Sequence, residues 1–426
     1  MAAGSMNISD VNQPSQGVCA ECFADESIKT FVREHAVSNE CHFCTGHPCA
    51  PVVASIDAAA KFVLEGLESC WTTDPEETDC DDEGRPLHWY STDELLRLTP
   101  DWMAPWTEPP IRDGAVIDEV SRRLGHRSWY DRLLTREIRY GRLVLGWNNF
   151  RQRIIHKSRF FFHAPLEGDF DAYEPKNFPT AKILYELGEL VRAENLVASE
   201  LAGKKIFRAR QHDPVRKKDF ETASALGPPT DDLARYANRM SPAGIVMFYG
   251  AYDAETARRE VFDHGRWSQG KTMITVGTLF EAKIALRVVD LRKVKMPPVP
   301  SIFDPQKRPT RSAIQFLHNF AEEMAEPIVK DGREHVDYVP TQVVAEYFRR
   351  VFKDNAGNPV QGILYDSSQP GGSTCCALFL DAEQCGGKQH PFRSTPLEQV
   401  LRFADWEHFK GDLHPLFRSC GKGTAK

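Results

Sequence analysis

No apolar run in this 426-residue chain approaches the roughly 18 residues that a bilayer-spanning helix needs. Insertion into a membrane by a helix is therefore not expected. The N-terminus lacks the basic-then-apolar order of a secretory signal, so the cytoplasm is the expected compartment. Excess positive charge is missing too. The formal net charge is −7, which argues against a protein built to coat nucleic acid, although local basic patches are compatible with it. The basic stretch 204–218 has no regularly spaced aromatics on which bases would stack, and it reads as a solvated or substrate-facing edge. A G-x-G-x-x-G fingerprint is absent, and with it the usual signal for a dehydrogenase.

What the chain does have is enough apolar sequence for a large core. It is 41% hydrophobic and 27% charged, a balance that excludes global disorder, and its length favours two or three domains. Four of the eleven cysteines form two Cys-x-x-Cys pairs, Cys19 with Cys22 and Cys41 with Cys44, with eighteen residues between the pairs. Two tight turns that each present two thiolates supply the four soft donors of a tetrahedral zinc ion. That pattern speaks for metal ligation in a reducing compartment rather than a disulfide lattice. With four sulfur ligands no position is left for water, so the expected zinc is structural. His42, His47 and Cys49 are substitute ligands, but the paired cysteines are preferred. Phe23, Ile28, Phe31 and Val32 are expected to pack beside the metal, since so small a module has little core of its own.

Further along, Ile56–Leu67 has helical spacing, and Asp74–Glu83, with seven acidic residues in ten, reads as a solvated loop. Tryptophan and proline cluster in 100–106 as an irregular packed segment. Helical patterns cover Ser128–Leu145, Trp147–Phe160 and Thr180–Leu201, the last with Ile183, Leu187 and Val191 on its buried stripe. Strands are expected at Ile206–Arg208, Ile245–Tyr249, Met273–Leu279, Ala285–Val289, Gly362–Tyr365 and Cys375–Leu380. Helices are expected at Ala254–Phe262 with Asp253 as N-cap, at Ala313–Ala325, at Thr341–Phe352, and around Leu397–Trp406.

The stretch from Asn238 to Glu260 organises the second half of the chain. Arg239 precedes a Ser-Pro-Ala-Gly turn and an apolar run ending in Phe248 and Tyr249, and Asp253, Thr256 and Glu260 share one face of the helix that follows. Alone, this is an ordinary strand-turn-helix with charges facing water. These residues, with Phe207-Arg208-Ala209-Arg210 upstream and Gly362–Ser368 downstream, resemble in order the motifs of the RES domain, a family named for its arginine, glutamate and serine. The resemblance spans roughly residues 185–385. The region from the zinc pairs to Phe162 is similar to the HEPN-like N-terminal region that accompanies some RES domains, and Arg151 and His156 match the Arg-x4-His spacing of helical nucleases of the HEPN superfamily. Two common residues at one spacing are a weak signal, so these two are expected to be structural or to contact the neighbouring domain. Cys375 stands where the RES pattern has asparagine, which puts one polar contact in doubt.

The resemblance implies an α+β protein: a zinc module over 17–50, a helical domain over 51–180, a RES-like domain of ADP-ribosyltransferase type with a mixed sheet over 185–385, and an extension over 386–426. It also implies NAD+ as substrate, cleaved to nicotinamide and ADP-ribose. On that reading Glu260 stabilises the sugar cation, Arg239 and Arg208 grip the pyrophosphate, Tyr249 stacks on nicotinamide, and Ser367, with Ser368 beside it, binds ribose or phosphate. Arg210 competes with Arg208 for its place in the motif. The runner-up readings are transfer of ADP-ribose to a protein or nucleic acid, RNA cleavage through His156, and a non-enzymatic nucleotide sensor. Many RES proteins are toxins, which implies an antitoxin or another regulatory partner; a homo-oligomer is also compatible.

Overall fold

The computed structural model describes residues 16–44, 53–78, 83, 85–86, 89–97, 109–131, 142–162, 182–200, 202–212, 222–262, 274–293, 295–326, 333–369, 371–387 and 398–408. The chain divides into two compact units, Met1–Arg142 with Pro298–Gln315, and Leu143–Pro297 with Phe316–Lys426. Its architecture is α+β, with helices dominating the N-terminal region and one large mixed sheet in the second unit. Among the described residues no helix is long and apolar enough to cross a membrane.

In the first unit, β1 (Gly17–Cys19) pairs antiparallel with β2 (Val53–Ser55). Helix Glu26–Glu34 starts at Asp25, whose carboxylate accepts the N–H groups of Ser27 and Ile28 at 2.8 and 3.2 Å. Helix Ile56–Leu67 follows β2 without a break and covers the expected residues, with Ser55 Oγ accepting the Asp57 N–H. Such caps satisfy N–H groups that the first turn leaves without partners. Phe23, Ile28 and Val32 are fully buried with Val63, Val116 and Trp129 in one core. The cysteine segment therefore shares the core of the whole unit.

A three-stranded sheet, ordered β3 (Trp71–Thr72), β5 (Ser128–Asp131), β4 (Trp89–Ser91), closes this unit. Helical spacing over Ser128–Leu145 is thereby corrected at its start. Ser128–Asp131 is a strand because it lies between two antiparallel partners and buries Trp129, whose indole N–H donates to Thr92 Oγ1 at 3.1 Å. Residues 132–141 lie outside the described residues, and so do His47, Cys49 and the 100–106 cluster.

The second unit is built on an eight-stranded sheet of β6 (Val197–Glu200), β7 (Lys205–His212), β8 (Phe248–Ala251), β9 (Ile274–Ala282), β10 (Leu286–Asp290), β11 (Gly362–Asp366), β12 (Thr374–Leu378) and β13 (Leu401–His408). Its order is β13-β9-β7-β8-β12-β11-β10-β6, with β10 and β11 parallel and the other pairs antiparallel. Both faces are buried. Phe207, Ala209, Ala251, Ile363, Cys375 and Ala377 face a core shared with helices Lys182–Ala193 and Val339–Arg350. Ile206, Phe248, Phe280, Leu364, Cys376 and Leu401 face a second core. Alternation of side chains along each strand produces this division.

Three sequence readings are corrected here. The helix expected around Leu397–Trp406 is instead the edge strand β13, paired along β9 from Leu401↔Ala282 to His408↔Val276 with an irregularity at Phe403/Asp405. Leu397, Val400, Leu401 and Ala404 have helical spacing, but without this strand the outer edge of β9 would lack a partner. The strand expected at Ile245–Tyr249 begins only at Phe248. Gly244, with φ of 87°, and the Ile245 N–H bond to the Pro242 carbonyl keep the chain in a turn until then. The helix expected over Thr180–Leu201 ends at Ala193. Asn195 adopts φ of 52°, a left-handed turn that asparagine tolerates at a helix end, and Val197–Glu200 continues as β6. Trp147–Phe160 is α-helical to Gln152 and then widens into a π turn, Arg153–Lys157, closed by the Ser158 N–H bond to the Arg153 carbonyl.

Candidate functional site

The four paired cysteines come together as their spacing predicts. All four sulfurs lie within 4.8 Å of one another, with Cys19–Cys44 at 3.3 Å, Cys19–Cys22 and Cys22–Cys44 at 3.7 Å, and Cys22–Cys41 at 3.8 Å. A tetrahedron with Zn–S bonds of about 2.3 Å has edges of about 3.8 Å, so the cluster fits that ion. His42 is otherwise engaged, its Nδ1 accepting the Gly17 N–H at 2.9 Å. Burial and the charge of neighbouring thiolates raise Cys22, and burial with hydrogen bonding to Cys19 pushes Cys44 up to about 12. Against burial, the backbone N–H groups of Phe43, Cys19 and Cys44 bring Cys41 down to about 7.

The second constellation sits at one end of β7, β8, β12 and β11, which are consecutive in the sheet. Helix Ala254–Phe262 follows β8, and its Asp253 cap, as expected, accepts the Thr256 N–H at 2.8 Å. Two turns on, Glu260 Oε1 accepts the Ser367 hydroxyl at 2.6 Å and the Cys375 thiol at 3.7 Å. Ser367 directly follows β11, and its loop is closed by Ser367 N–H to the Ser373 carbonyl, Gln369 N–H to Ser367 Oγ, and Ser373 N–H to Thr256 Oγ1. A side chain at Gly372 would meet Ser367 at 2.6 Å, so close packing of the loop excludes one. Burial and the nearby Glu260 charge raise Cys375, which keeps it a neutral thiol and a donor. At the position where asparagine is expected, Cys375 therefore makes a weak contact to Glu260.

Arg239 lies at the corner of a turn, Asn238–Ser241, closed by backbone hydrogen bonds in both directions. Its guanidinium donates to the Ala325 carbonyl, at the last residue of helix Arg311–Ala325, and stands 5.7 Å from the centre of the Tyr365 ring. Tyr365 pairs with Cys375 in the ladder, so Arg239, Tyr365, Cys375 and Glu260 form a continuous chain of neighbours on one face of the sheet. A cleft of about 400 Å³ opens beside Ser367 and Ser368, with Leu291, Met296, His318, Ala325 and Asp366 in its walls.

Tyr249 turns its hydroxyl towards the same turn. It accepts the Met240 N–H at 3.2 Å and lies 3.0 Å from Ser241 Oγ, while burial pushes the phenol up to about 12. Tyr249→Phe is expected to lower stability by about 1 kcal/mol through loss of this tie, measured by urea denaturation. An unchanged midpoint would show that the hydroxyl holds nothing.

Arg208 and Arg210 alternate with Phe207 and Ala209 and so project from the opposite face to Glu260. The β7–β8 ladder is limited to Phe207↔Ala251, and where it ends Arg208 donates to the Tyr249 carbonyl at 2.6 Å and the Leu226 carbonyl at 3.1 Å. Arg210 donates to the Ala225 carbonyl. Burial lowers both guanidinium groups, Arg208 to about 9 with help from Arg210, so Arg208 remains a cation at neutral pH at the point where the sheet splits. Arg151 is in an ion pair with Glu323 at 3.2 Å, and the Trp147 indole donates to the same carboxylate at 2.8 Å, while His156 is exposed on the π turn.

Sequence reasoning passed over Tyr365 as a neighbour of Arg239, and Thr341 and Gln342 as supports of its turn. They sit in an apolar strand and at a helix start that look like ordinary core, and no local pattern distinguishes them.

A family model described as RES domain matches residues 205–398, and one described as HEPN/RES N-terminal domain 1 matches residues 34–167. Searches of curated proteins and of solved structures each gave no match. Glu260 and Ser367, joined by their 2.6 Å hydrogen bond, and Arg239 all fall within the first of these matches. The chain is a RES-domain protein with a HEPN/RES N-terminal domain ahead of its RES domain.

Proposed function

We propose that the RES domain cleaves NAD+ to nicotinamide and ADP-ribose, with water as the acceptor. The observation that carries this reading is the Ser367–Glu260 hydrogen bond of 2.6 Å, on the same sheet face as Arg239. Breaking the bond between ribose C1′ and the nicotinamide nitrogen sends the electron pair to nicotinamide and leaves an oxocarbenium-like sugar. A carboxylate oriented beforehand, here by Ser367 and Cys375, stabilises that charge without reorganising. Water then adds to C1′ and loses its proton to solvent.

Arg239 supplies a planar fork suited to a pyrophosphate, which must draw it from the Ala325 carbonyl. Arg208 is the better second arginine, because it stands at the end of the β7–β8 ladder and already touches the strand that carries Tyr249, whereas Arg210 is tied to Ala225. A dinucleotide is long enough to meet charges on both sides of that split. Tyr249 offers its ring to nicotinamide, and Ser368 borders the cleft with Ser367. Membership of a family with toxin members supports an effector held in check by an antitoxin or another partner.

The test is incubation of purified protein with NAD+, following both nicotinamide and ADP-ribose. Equal release of the two supports hydrolysis. Nicotinamide without free ADP-ribose, with label appearing on protein or nucleic acid, would replace water by another acceptor in the same site. Binding without turnover would favour a sensor. The ribonuclease reading is weakened by the ion pair that occupies Arg151.

A further inference from the structure

The Arg239 turn is held from outside by a residue that belongs to none of the motifs above. Gln342 lies in the first turn of helix Val339–Arg350 and is 5% exposed. Its side-chain amide donates to the Asn238 carbonyl at 2.8 Å and to the Ser241 carbonyl at 3.4 Å, the two carbonyls that close the turn. An amide nitrogen has two hydrogens, and both are used. Beside it, the Thr341 hydroxyl shares its hydrogen between the Arg239 and Tyr338 carbonyls. On the other side of the turn, the Tyr249 hydroxyl accepts the Met240 N–H. The main chain of all four turn residues is thus engaged by side chains from a helix about 100 positions further on and from the next strand.

A buried amide in this setting responds to the shape of the turn. If the turn opens, Gln342 loses two acceptors in a place water does not readily reach, a situation that buried polar groups avoid. Loss of Gln342 conversely releases two carbonyls and lets the turn move. The Arg239 guanidinium sits at the end of a flexible side chain, so its reach is set by where this turn holds its Cα.

We infer that Gln342, assisted by Thr341, is a positioning residue that presents Arg239 to the pyrophosphate of a dinucleotide. This rests on the NAD reading of the same site. It names a residue acting through Arg239 and not one that touches substrate.

The test is a double-mutant cycle of Gln342→Met, which keeps length and volume but donates nothing, with Arg239→Ala. NAD affinity is measured by calorimetry in a Glu260→Gln background so that turnover does not interfere. Gln342→Met is expected to weaken binding about tenfold, the loss of two neutral hydrogen bonds. Arg239→Ala is expected to weaken it more, and adding Gln342→Met to it is expected to change nothing further. A general packing defect would instead add its cost in both backgrounds, and that result, or undiminished affinity in the single variant, overturns the inference. Amide exchange at Met240 and Ser241 provides a second readout that needs no ligand. Faster exchange in Gln342→Met supports the clamp, and unchanged exchange overturns it. Failure of the otherwise unaltered Glu260→Gln protein and of the wild type to bind NAD would remove the NAD reading and the ligand half of this inference together, while the exchange rates still decide whether Gln342 holds the turn.

Discussion

Glu260→Gln is expected to slow NAD consumption by about 10²–10³-fold while leaving the fold intact, the range seen when one preorganised electrostatic group is removed from a site. Glutamine has the shape of glutamate, and its side-chain carbonyl can still accept the Ser367 hydroxyl that now meets Oε1 at 2.6 Å. What disappears is the negative charge facing the sugar as the glycosidic bond lengthens. Ser367→Ala tests the same geometry from the other side. The carboxylate stays charged but loses its closer donor, keeping the Cys375 thiol at 3.7 Å, and about a tenfold loss is expected from one charge-assisted hydrogen bond. Nicotinamide release measures both variants, with thermal melting as the check on folding. Equal rates for wild type and Glu260→Gln would remove Glu260 from the reacting centre. A larger effect from Ser367→Ala than from Glu260→Gln would reverse the roles given to the two residues.

Much of this constellation was legible because its parts are local. Asp253 capping its helix depends on four consecutive positions, 253–256, and the same helix then places Glu260 on a fixed face relative to Thr256. Ile56–Leu67 and Gly362–Tyr365 were readable for a similar reason, since their periodicity agrees with the element formed. The misread segments are those in which a distant partner overrides local pattern. Leu401–His408 has apolar spacing that suits a helix, yet becomes a strand because β9 needs an outer neighbour. Ser128–Asp131 becomes a strand because β3 and β4 flank it. The contacts of Arg239 with Ala325, Tyr365 and Thr341 were not legible for a related reason. They join residues about 85 to 125 positions apart, and only the packing of two helices and the sheet brings these together.

Arg208 and Arg210 show the limit in another form. Their alternation in an Arg-Ala-Arg strand predicts that they share a face, but not which face, nor that Glu260 comes to the other one. That follows from the Phe207↔Ala251 pairing, one residue long, after which β7 and β8 part. A substrate reading that uses both Arg208 and Glu260 therefore depends on the split between these strands, and a compact mononucleotide would not satisfy it. NAD+ should accordingly bind better than nicotinamide mononucleotide, whose single phosphate cannot meet charges on both sides.

Removal of zinc is expected to have the largest effect on stability. The first unit places Cys19 and Cys22 at 1% and 3% exposure in the same core as Val18, Phe23, Ile28 and Val63, so the cysteine cluster is part of the packing. Although backbone N–H groups bring Cys41 down to about 7, burial and neighbouring charge raise Cys22, and burial and hydrogen bonding raise Cys44 to about 12. A divalent ion reverses this, because it binds the thiolates and displaces their protons. Structural zinc contributes about 10–16 kcal/mol of apparent binding energy in small domains, comparable to the whole of a domain's stability of about 5–15 kcal/mol. Purified protein should carry one zinc per chain by elemental analysis. Chelation, or Cys22→Ser, should raise amide exchange at Val18, Ile28 and Val63 to the rate of an unfolded segment. The sign of the pH dependence follows from the same protons: they compete with the metal, so zinc retention should weaken as pH falls and strengthen as it rises. A protein without metal whose first unit exchanges as slowly as before would mean that the four cysteines pack as ordinary core thiols and that the unit needs no ion.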